Sequence, residues 1–171
     1  MKFQAALLVV KNMERSVKFY KEVLGLRVTM DLGANVTLTG GVALQTQESW
    51  CEFISKDLQS ISFGGNAAEL YFEEDKFDDF LKKLAAIKGI FYVHPVQQYS
   101  WGQRVIRFYD PDFHILEVGE NMKSVCRRFL DSGMTIEAAA VRMNVPEKFV
   151  RACVRSVSYT HLRAHETELH L

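Results

Sequence analysis

The stretch RVIRFYDPDFHILEVGE, from Arg104 to Glu120, predicts two β-strands joined by a tight turn. Both halves are rich in β-branched and aromatic residues, which favour strands. The break between them is Asp110-Pro111-Asp112. Pro111 pre-sets φ for a turn, and the Asp110 carboxylate can accept a hydrogen bond from the backbone two residues on.

Glu117 lies in the middle of the second of these strands. Side chains alternate along a strand, so Glu117 shares a face with Ile115 and Gly119, while His114 lies on the other face. A carboxylate in an apolar strand is costly to bury unless it has a partner or a metal ion. The burial of Glu117 therefore has to be explained by a partner or a metal ion, whereas we expect His114 to be structural or exposed.

The composition excludes several classes of protein. The 171 residues contain 48% hydrophobic and 25% charged residues, as is ordinary for a globular protein with one substantial core. The formal net charge of zero gives no overall field that would recruit nucleic acid or an anionic membrane. Signal-peptide and membrane-spanning patterns are not found in the sequence. Three cysteines outside metal spacing favour free thiols and a cytoplasmic location.

The segment upstream of residue 55 predicts a strand, a helix, three short strands and a further short helix. The apolar run FQAALLVV is the first strand, and the helix MERSVKFYKEVLG follows with Asn12 as its N-cap and Gly25 as its end. The strands LRVTMDL, NVTLT and VALQT come next, before a short helix at residues 48–54.

The strand–helix–three-strand pattern then repeats. The strand AELYFEE precedes the helix DKFDDFLKKLAAIKG, which Gly89 ends, and the strand FYVHP leads to the two strands of the opening stretch. An offset of 64 residues lays Leu8 on Phe72 and Gly25 on Gly89. An internal repeat of this kind is stronger evidence for architecture than any single propensity.

The segments VVKNMERSVKFYKEVLGL and RFYDPDFHILEVGE resemble the opening and closing segments of the vicinal oxygen chelate superfamily. That group includes glyoxalase I, bleomycin-resistance proteins, fosfomycin-resistance enzymes and extradiol dioxygenases. The resemblance covers roughly residues 1–120 and implies an α+β fold in which paired βαβββ modules curl around a central cavity. Phe113 occupies a turn position at which the family usually has Gly.

The resemblance also implies candidate metal ligands. In the metal enzymes of the superfamily, inward-facing His, Gln or Glu side chains on the first and last strands of each module bind the ion. Three of these positions match Gln45, Glu69 and Glu117, although a slip of one residue would replace Gln45 by Leu44. The fourth matches Ala5, and only a backbone bulge would bring Gln4 inward.

Two carboxylates and an amide suit Mg²⁺, Mn²⁺, Fe²⁺ or Ni²⁺ better than Zn²⁺. If a metal is bound, Glu69 and Glu117 are its ligands and the catalytic residues, and they should lie on neighbouring strands with their carboxylates within about 6 Å. The alternative is a metal-free cavity in which both carboxylates bind Tyr, Arg or water. In that case Glu117→Gln is expected to be neutral or stabilising, because it removes a buried charge that no ion offsets.

The loop HPVQQYSWGQR supplies candidate ligand-binding residues. It combines an apolar ring, amides and a fixed charge, the usual chemistry of a small-molecule pocket. The candidates are His94, Trp101, Gln103 and Arg104, together with Tyr71 on the face of Glu69. A packed loop with Trp101 in the core is the alternative.

Residues 121–155 predict a helical appendage of three short helices. Thr135 caps the second, and Pro146 starts the third after Asn144-Val145. The last two resemble a minimal helix-turn-helix, in which Arg142, Lys148, Arg151 and Arg155 would contact DNA. Glu137 and Glu147 dilute that charge, and such a pair without a third helix is usually an appendage that packs or dimerises, so nucleic acid is not the expected partner.

The last residues, 156–171, differ in composition from the rest of the chain. VSYTHLRAHET is similar to a translated transposon adapter from sequencing libraries. We exclude residues 156–171 from functional reasoning as an artefactual tail, although three of the five histidines lie there.

Two functions from different classes remain open. One is a divalent-metal-dependent lyase, isomerase or dioxygenase, in which the ion acts as a Lewis acid. The other is a metal-free protein that binds or sequesters a small aromatic or peptide-like molecule. We expect a small-molecule ligand, no membrane partner and, as an open option, a homodimer. DNA binding by a regulator is the remote alternative.

Overall fold

The computed structural model describes residues 1–154, which divide into two compact units. The first comprises residues 1–71, 78–95 and 107–117, and the second comprises residues 72–77, 96–106 and the chain from residue 118. The tail at residues 156–171 lies outside the described residues. No helix of the described chain has the length and apolar character needed to cross a membrane.

The first module is a four-stranded sheet with the predicted helix between its first two strands. Its elements are β1 (Ala6–Val10), α1 (Met13–Leu24), β2 (Val28–Asp31), β3 (Asn35–Leu38) and β4 (Val42–Thr46), with a 3₁₀ turn at Thr39–Gly41. The strand order is β1-β4-β3-β2. Strand β1 runs parallel to β4, with Val9 opposite Gln45, and the other pairs are antiparallel. The module is followed by α2 (Gln47–Ile54) and a 3₁₀ turn at Leu58–Ser60.

The second module repeats this order of elements. It comprises β5 (Glu69–Glu74), α3 (Phe77–Ala86), β6 (Phe91–Gln98), β7 (Arg104–Tyr109) and β8 (Ile115–Glu120). Its strand order, β5-β8-β7-β6, is that of the first module. The predicted internal repeat is therefore confirmed, and the protein has an α+β fold of paired βαβββ modules followed by C-terminal helices.

Helix α1 begins and ends where the sequence predicts. The Asn12 side chain accepts a hydrogen bond from the Arg15 backbone N–H at 2.8 Å. Gly25 has a φ of 69° and donates its N–H to the carbonyls of Tyr20 and Lys21. These caps satisfy backbone groups that a helix end otherwise leaves without partners.

Strand β6 differs from the prediction, which began a loop at His94. The strand continues through Pro95 to Gln98. Proline lacks the N–H that a central strand must donate, but β6 is an edge strand of its sheet, where that N–H is not needed. Helix α3 likewise ends at Ala86, before the predicted stop at Gly89.

The turn between β7 and β8 forms around Asp110. Its Oδ1 accepts the backbone N–H groups of Asp112 and His114, each at 2.9 Å, and its Oδ2 accepts Tyr20 Oη at 2.9 Å and His114 Nδ1 at 2.8 Å. Burial raises the pKa of Asp110, but these hydrogen bonds, led by those from His114, outweigh burial and hold the pKa below its usual value. His114 is thus structural, as predicted, and Phe113 takes the left-handed conformation with a φ of 66°.

Asp112 joins this turn to the beginning of α1. Its side chain is fully buried and accepts hydrogen bonds from the Lys11 backbone N–H at 3.3 Å, Ser16 Oγ at 3.2 Å and Arg15 Nη2 at 2.7 Å. The turn between β7 and β8 of the second module is therefore also bonded to helix α1 of the first module.

Within residues 1–154, three helices follow the modules. Asn121 is the N-cap of helix α4 (Met122–Asp131). Thr135 is the N-cap of α5 (Ile136–Met143), and its Oγ1 accepts the Ala138 N–H at 3.1 Å. Residues 147–154 form a further helix, α6, after Pro146. All three helices contribute to one buried core: Val125, Cys126, Phe129, Ala139, Ala140, Met143, Val150 and Cys153. Helix α4 therefore packs in the same core as the α5–α6 pair.

Candidate functional site

Four polar side chains form a row across the second sheet, one from each strand. In strand order they are Glu69 on β5, Glu117 on β8, Arg107 on β7 and His94 on β6. Each lies at a position where the pleat directs its side chain to the same face. We call this set the Arg107 cluster.

Arg107 holds the cluster together. Its Nε donates to Glu69 Oε2 at 2.8 Å, and its Nη2 donates to Glu69 Oε1 at 3.4 Å. The same Nη2 forms an ion pair with Glu117 Oε2. One guanidinium therefore neutralises part of the charge of two carboxylates on neighbouring strands.

His94 accepts a hydrogen bond from the third guanidinium nitrogen, Nη1 of Arg107. Its Nδ1 lies 2.7 Å from the Pro95 carbonyl oxygen, which can only accept, so Nδ1 carries the proton. The Nε2 of the neutral ring then accepts Arg107 Nη1 at 3.3 Å. With a neutral His94, the cluster has a formal charge of −1.

The exposure of the cluster is uneven. The Glu117 side chain is 8% exposed and that of Arg107 is 21% exposed, whereas 37% of Glu69 is open to solvent. Glu117 thus fixes the guanidinium from the buried side, and Glu69 can reach a ligand from the open side.

These residues do not fit the divalent ion that the resemblance implied. Among residues 1–154, no group of three or more His, Cys, Asp or Glu side chains could hold a metal ion. Both oxygens of Glu69 and the Oε2 of Glu117 instead contact the guanidinium of Arg107.

Gln45 belongs to a different hydrogen-bond network. Its side chain is buried, accepts Asn35 Nδ2 at 2.7 Å through Oε1, and donates through Nε2 to Ser49 Oγ. Both sides of the amide are therefore used within the first module. The assignment of Gln45 as a metal ligand remains a prediction that these contacts do not favour.

Three of the predicted ligand-binding residues, Trp101, Gln103 and Arg104, form hydrogen bonds within the second unit. Trp101 Nε1 donates to Gln103 Oε1 at 3.2 Å, and Gln103 Nε2 donates to the Glu120 carbonyl at 3.0 Å. Arg104 donates to both oxygens of the Glu120 carboxylate at 3.2 and 3.1 Å. Trp101 also stacks on Tyr99, with ring centroids 4.4 Å apart. These contacts favour the packed-loop alternative for Trp101, Gln103 and Arg104.

Glu120 is the centre of that second set. It is 5% exposed and also accepts Arg128 Nη2 at 2.9 Å. Burial raises the pKa of its carboxyl, but the hydrogen bonds from Arg104 and Arg128 outweigh burial and hold the pKa below its usual value. Glu120 therefore has a structural role, because its carboxylate connects Arg104 on β7 with Arg128 on α4.

The sequence analysis did not identify Arg107 or Glu120, nor the hydrogen bonds that connect Asp112 to the beginning of α1. A signal for Arg107 was available, because a fixed charge in the middle of the apolar strand RVIRFY needs a partner for the same reason as Glu117 does. The sequence identifies Asp112 only as a turn residue, and nothing local indicates that its partners lie about a hundred positions upstream.

Residues 3–123 match the family model described as a glyoxalase-like domain. The uncharacterized protein YraH of Bacillus subtilis (strain 168) is 26% identical over 126 residues, which are 69% of this chain and 97% of YraH. A protein of unknown function from Agrobacterium tumefaciens str. C58 has 35% identity and a TM-score of 0.61, over 71% of this chain and 94% of its own.

The fold is shared with proteins whose names are more specific. A glyoxalase/bleomycin resistance protein/dioxygenase from Nocardioides has 22% identity and a TM-score of 0.58, over 70% of this chain and 83% of its own. That likeness shows the fold alone. The match of most of the chain to the glyoxalase-like family, with the repeated module and its strand order, places this protein in the vicinal oxygen chelate superfamily as a member of the glyoxalase-like domain family.

Proposed function

We propose that this protein is a metal-free small-molecule binding protein whose Arg107 cluster and adjacent tyrosines take a small aromatic cation. The observation that carries the proposal is the guanidinium of Arg107 between Glu69 and Glu117. It supplies the counter-charge that a bound ion would otherwise supply, so the cluster is complete without a metal.

The charge of the cluster favours a cationic ligand. Two carboxylates and one guanidinium leave an excess negative charge, and the most exposed carboxylate is that of Glu69. A ligand ammonium group can approach Glu69 without displacing Arg107, and charge complementarity then selects a cation over an anion of the same size.

Aromatic side chains flank the row on the same face. Tyr71 follows Glu69 by two positions on β5, and Tyr92 precedes His94 by two positions on β6. Both are partly exposed, at 48% and 44%. Tyrosine rings bind planar groups and cations, which are the two parts of an aromatic amine.

The metal-dependent enzyme is the alternative. It would require Arg107 to leave both carboxylates before an ion could bind, and the loss of a buried counter-charge is unfavourable. The contacts of the cluster therefore support the binding protein over a lyase, isomerase or dioxygenase.

Calorimetry with tryptamine and indole-3-acetate tests the charge preference, since both molecules carry an indole ring and differ in charge. We expect tryptamine to bind and indole-3-acetate to bind at least about tenfold more weakly, a difference of about 1.4 kcal/mol. Glu69→Gln and Tyr71→Ala should each weaken tryptamine binding several-fold. Glu74→Gln, on the other face of β5, is the matched control and should not. Equal binding of both probes, or loss with the control, would reject the proposal.

A second arm distinguishes the enzyme. Adding Mn²⁺ or Ni²⁺ to chelator-treated protein should leave the melting temperature unchanged. Glu117→Gln should reduce the free energy of unfolding by about 1–3 kcal/mol, because Arg107 loses a buried charged partner. The loss is limited because the Arg107 side chain is 21% exposed and water still solvates part of its charge. The ion pair thus reverses the earlier expectation of a neutral or stabilising substitution. A metal-induced rise in melting temperature that Glu117→Gln abolishes would support the metal enzyme instead.

A further inference from the structure

The three C-terminal helices of the described chain pack around one core. Helices α4, α5 and α6 share one buried core, in which Val125 and Cys126 of α4 lie with Ala140 of α5 and Val150 of α6. A third helix that supports a helix-turn-helix pair is the feature that such a pair needs to be held rigidly against DNA.

The connection between α5 and α6 has the length and conformation of a helix-turn-helix turn. Only residues 144–146 separate the two helices. Asn144 takes the left-handed conformation with a φ of 53° and donates its N–H to the carbonyls of Ala140 and Val141, while Val145 N–H bonds to Ala140 O at 3.0 Å. Turns of three or four residues that end the first helix in this way set the second helix across the first.

Charge is distributed unevenly along the chain. Residues 121–154 contain six Lys or Arg and three Asp or Glu, whereas residues 1–120 contain thirteen and sixteen. The neutral total therefore hides an excess of three positive charges in the helical segment and an excess of three negative charges in the double module. A polyanion would be attracted to the helices and not to the modules.

The cations near the turn are exposed. Arg142 lies in the last turn of α5, and Lys148 and Arg151 lie on α6. Arg151 pairs with Glu147 at 2.9 Å and Glu137 at 3.4 Å, but all three side chains are about half exposed. Pairs of this kind contribute little to stability and are screened by salt, so a phosphate group can compete for Arg151.

We propose that α4, α5 and α6 form a helix-turn-helix unit that binds double-stranded DNA, with α6 in the major groove and Arg142, Lys148 and Arg151 at the phosphates or base edges. This function is independent of the small-molecule site proposed above. An apolar side chain, Val141, is 83% exposed on α5, beside a groove of about 590 Å³ lined by Glu137, Asn144 and Pro146. A second copy of the chain is the competing occupant of that groove.

Fluorescence anisotropy with a labelled 30-base-pair duplex of random sequence tests the proposal on the full chain. We expect binding at 50 mM salt that weakens linearly with the logarithm of the salt concentration. Arg142→Glu/Lys148→Glu should weaken binding at least about tenfold, which is 1.4 kcal/mol. Arg142→Gln/Lys148→Gln should lower the salt slope by about 2, because two phosphate contacts are lost.

The matched control is Lys56→Glu/Lys82→Glu, which changes the total charge equally at two exposed positions of the double module. It should bind DNA as the wild type does. Unchanged circular dichroism in each variant confirms that the helices remain folded. An equal loss in the control, or no duplex binding at 50 mM salt, overturns the proposal. The proposal is also overturned if the wild type forms a dimer that Val141→Asp dissociates and shows no DNA binding, because the groove would then bind a second copy of the chain.

Discussion

Asp112 illustrates how much a single buried carboxylate can hold. It has no exposed surface, and its two oxygens accept hydrogen bonds from the backbone of Lys11 and from the side chains of Ser16 and Arg15. A buried charge is tolerated when its partners are complete. Arg107 follows the same rule with the signs exchanged, because two carboxylates surround one guanidinium.

At this scale we expect Asp112→Asn to lower the free energy of unfolding by about 1–3 kcal/mol. The substitution keeps the shape of the side chain but turns one accepting oxygen into an amide that only donates, so at least one buried donor loses its partner. Urea denaturation measures the change. Asp79→Asn, an exposed residue whose Lys82 partner lies 3.5 Å away, is the control and should stay within about 0.5 kcal/mol of the wild type. Equal effects of the two variants would contradict the role given to Asp112.

Helix α4 packs directly on the loop between β6 and β7. Gly102 in that loop has a φ of 90°, and a Cβ atom there would overlap the ring of Phe129. The Gly102 carbonyl also accepts Arg128 Nη2 at 2.8 Å. The helix can approach this closely only because the loop has a residue without a side chain at this position.

For these elements we expect Gly102→Ala to lower the free energy of unfolding by about 2–4 kcal/mol, from the left-handed backbone and the overlap together. Thermal and urea unfolding measure the loss. Gly65→Ala is the matched control, since an added Cβ there meets open space and the backbone is not in the left-handed region. Adding Phe129→Leu should restore part of the stability of Gly102→Ala. A Gly102→Ala variant as stable as Gly65→Ala would show that the two elements are not in close contact.

The pH dependence of stability belongs to the whole molecule, because it sums over all titrating groups. Asp110 and Glu120 both have a pKa below the usual value of a carboxyl group. A carboxyl group whose folded pKa is lowered stabilises the protein above the unfolded pKa, and that contribution is lost as the pH falls through the folded pKa.

The free energy of unfolding should therefore be steady between about pH 5 and 7 and fall progressively below about pH 4.5. Urea denaturation at a series of pH values measures this curve. Asp110→Asn/Glu120→Gln should be less stable at pH 7 and should fall less steeply in acid. A variant curve parallel to that of the wild type would mean that other carboxyl groups govern acid unfolding.

The local sequence determined most of the fold of this protein. The break at Asp110-Pro111-Asp112, the caps Asn12 and Gly25, and the repeat at an offset of 64 residues were sufficient for the helix and strand order of both modules. These features depend on backbone preferences and on periodicity, which neighbouring residues express whatever lies farther away. The face of Glu69 and Glu117 followed from the same alternation.

Tertiary structure alone decided which partner each polar side chain has. Arg107 lies ten positions before Glu117 and 38 after Glu69, so only the strand order β5-β8-β7-β6 brings one guanidinium to both carboxylates. The packing of α4 against the α5–α6 pair was likewise decided by tertiary contacts. Sequence shows that a buried charge needs a partner, but the partner is chosen by geometry across strands, and that choice separates a metal site from an ion pair.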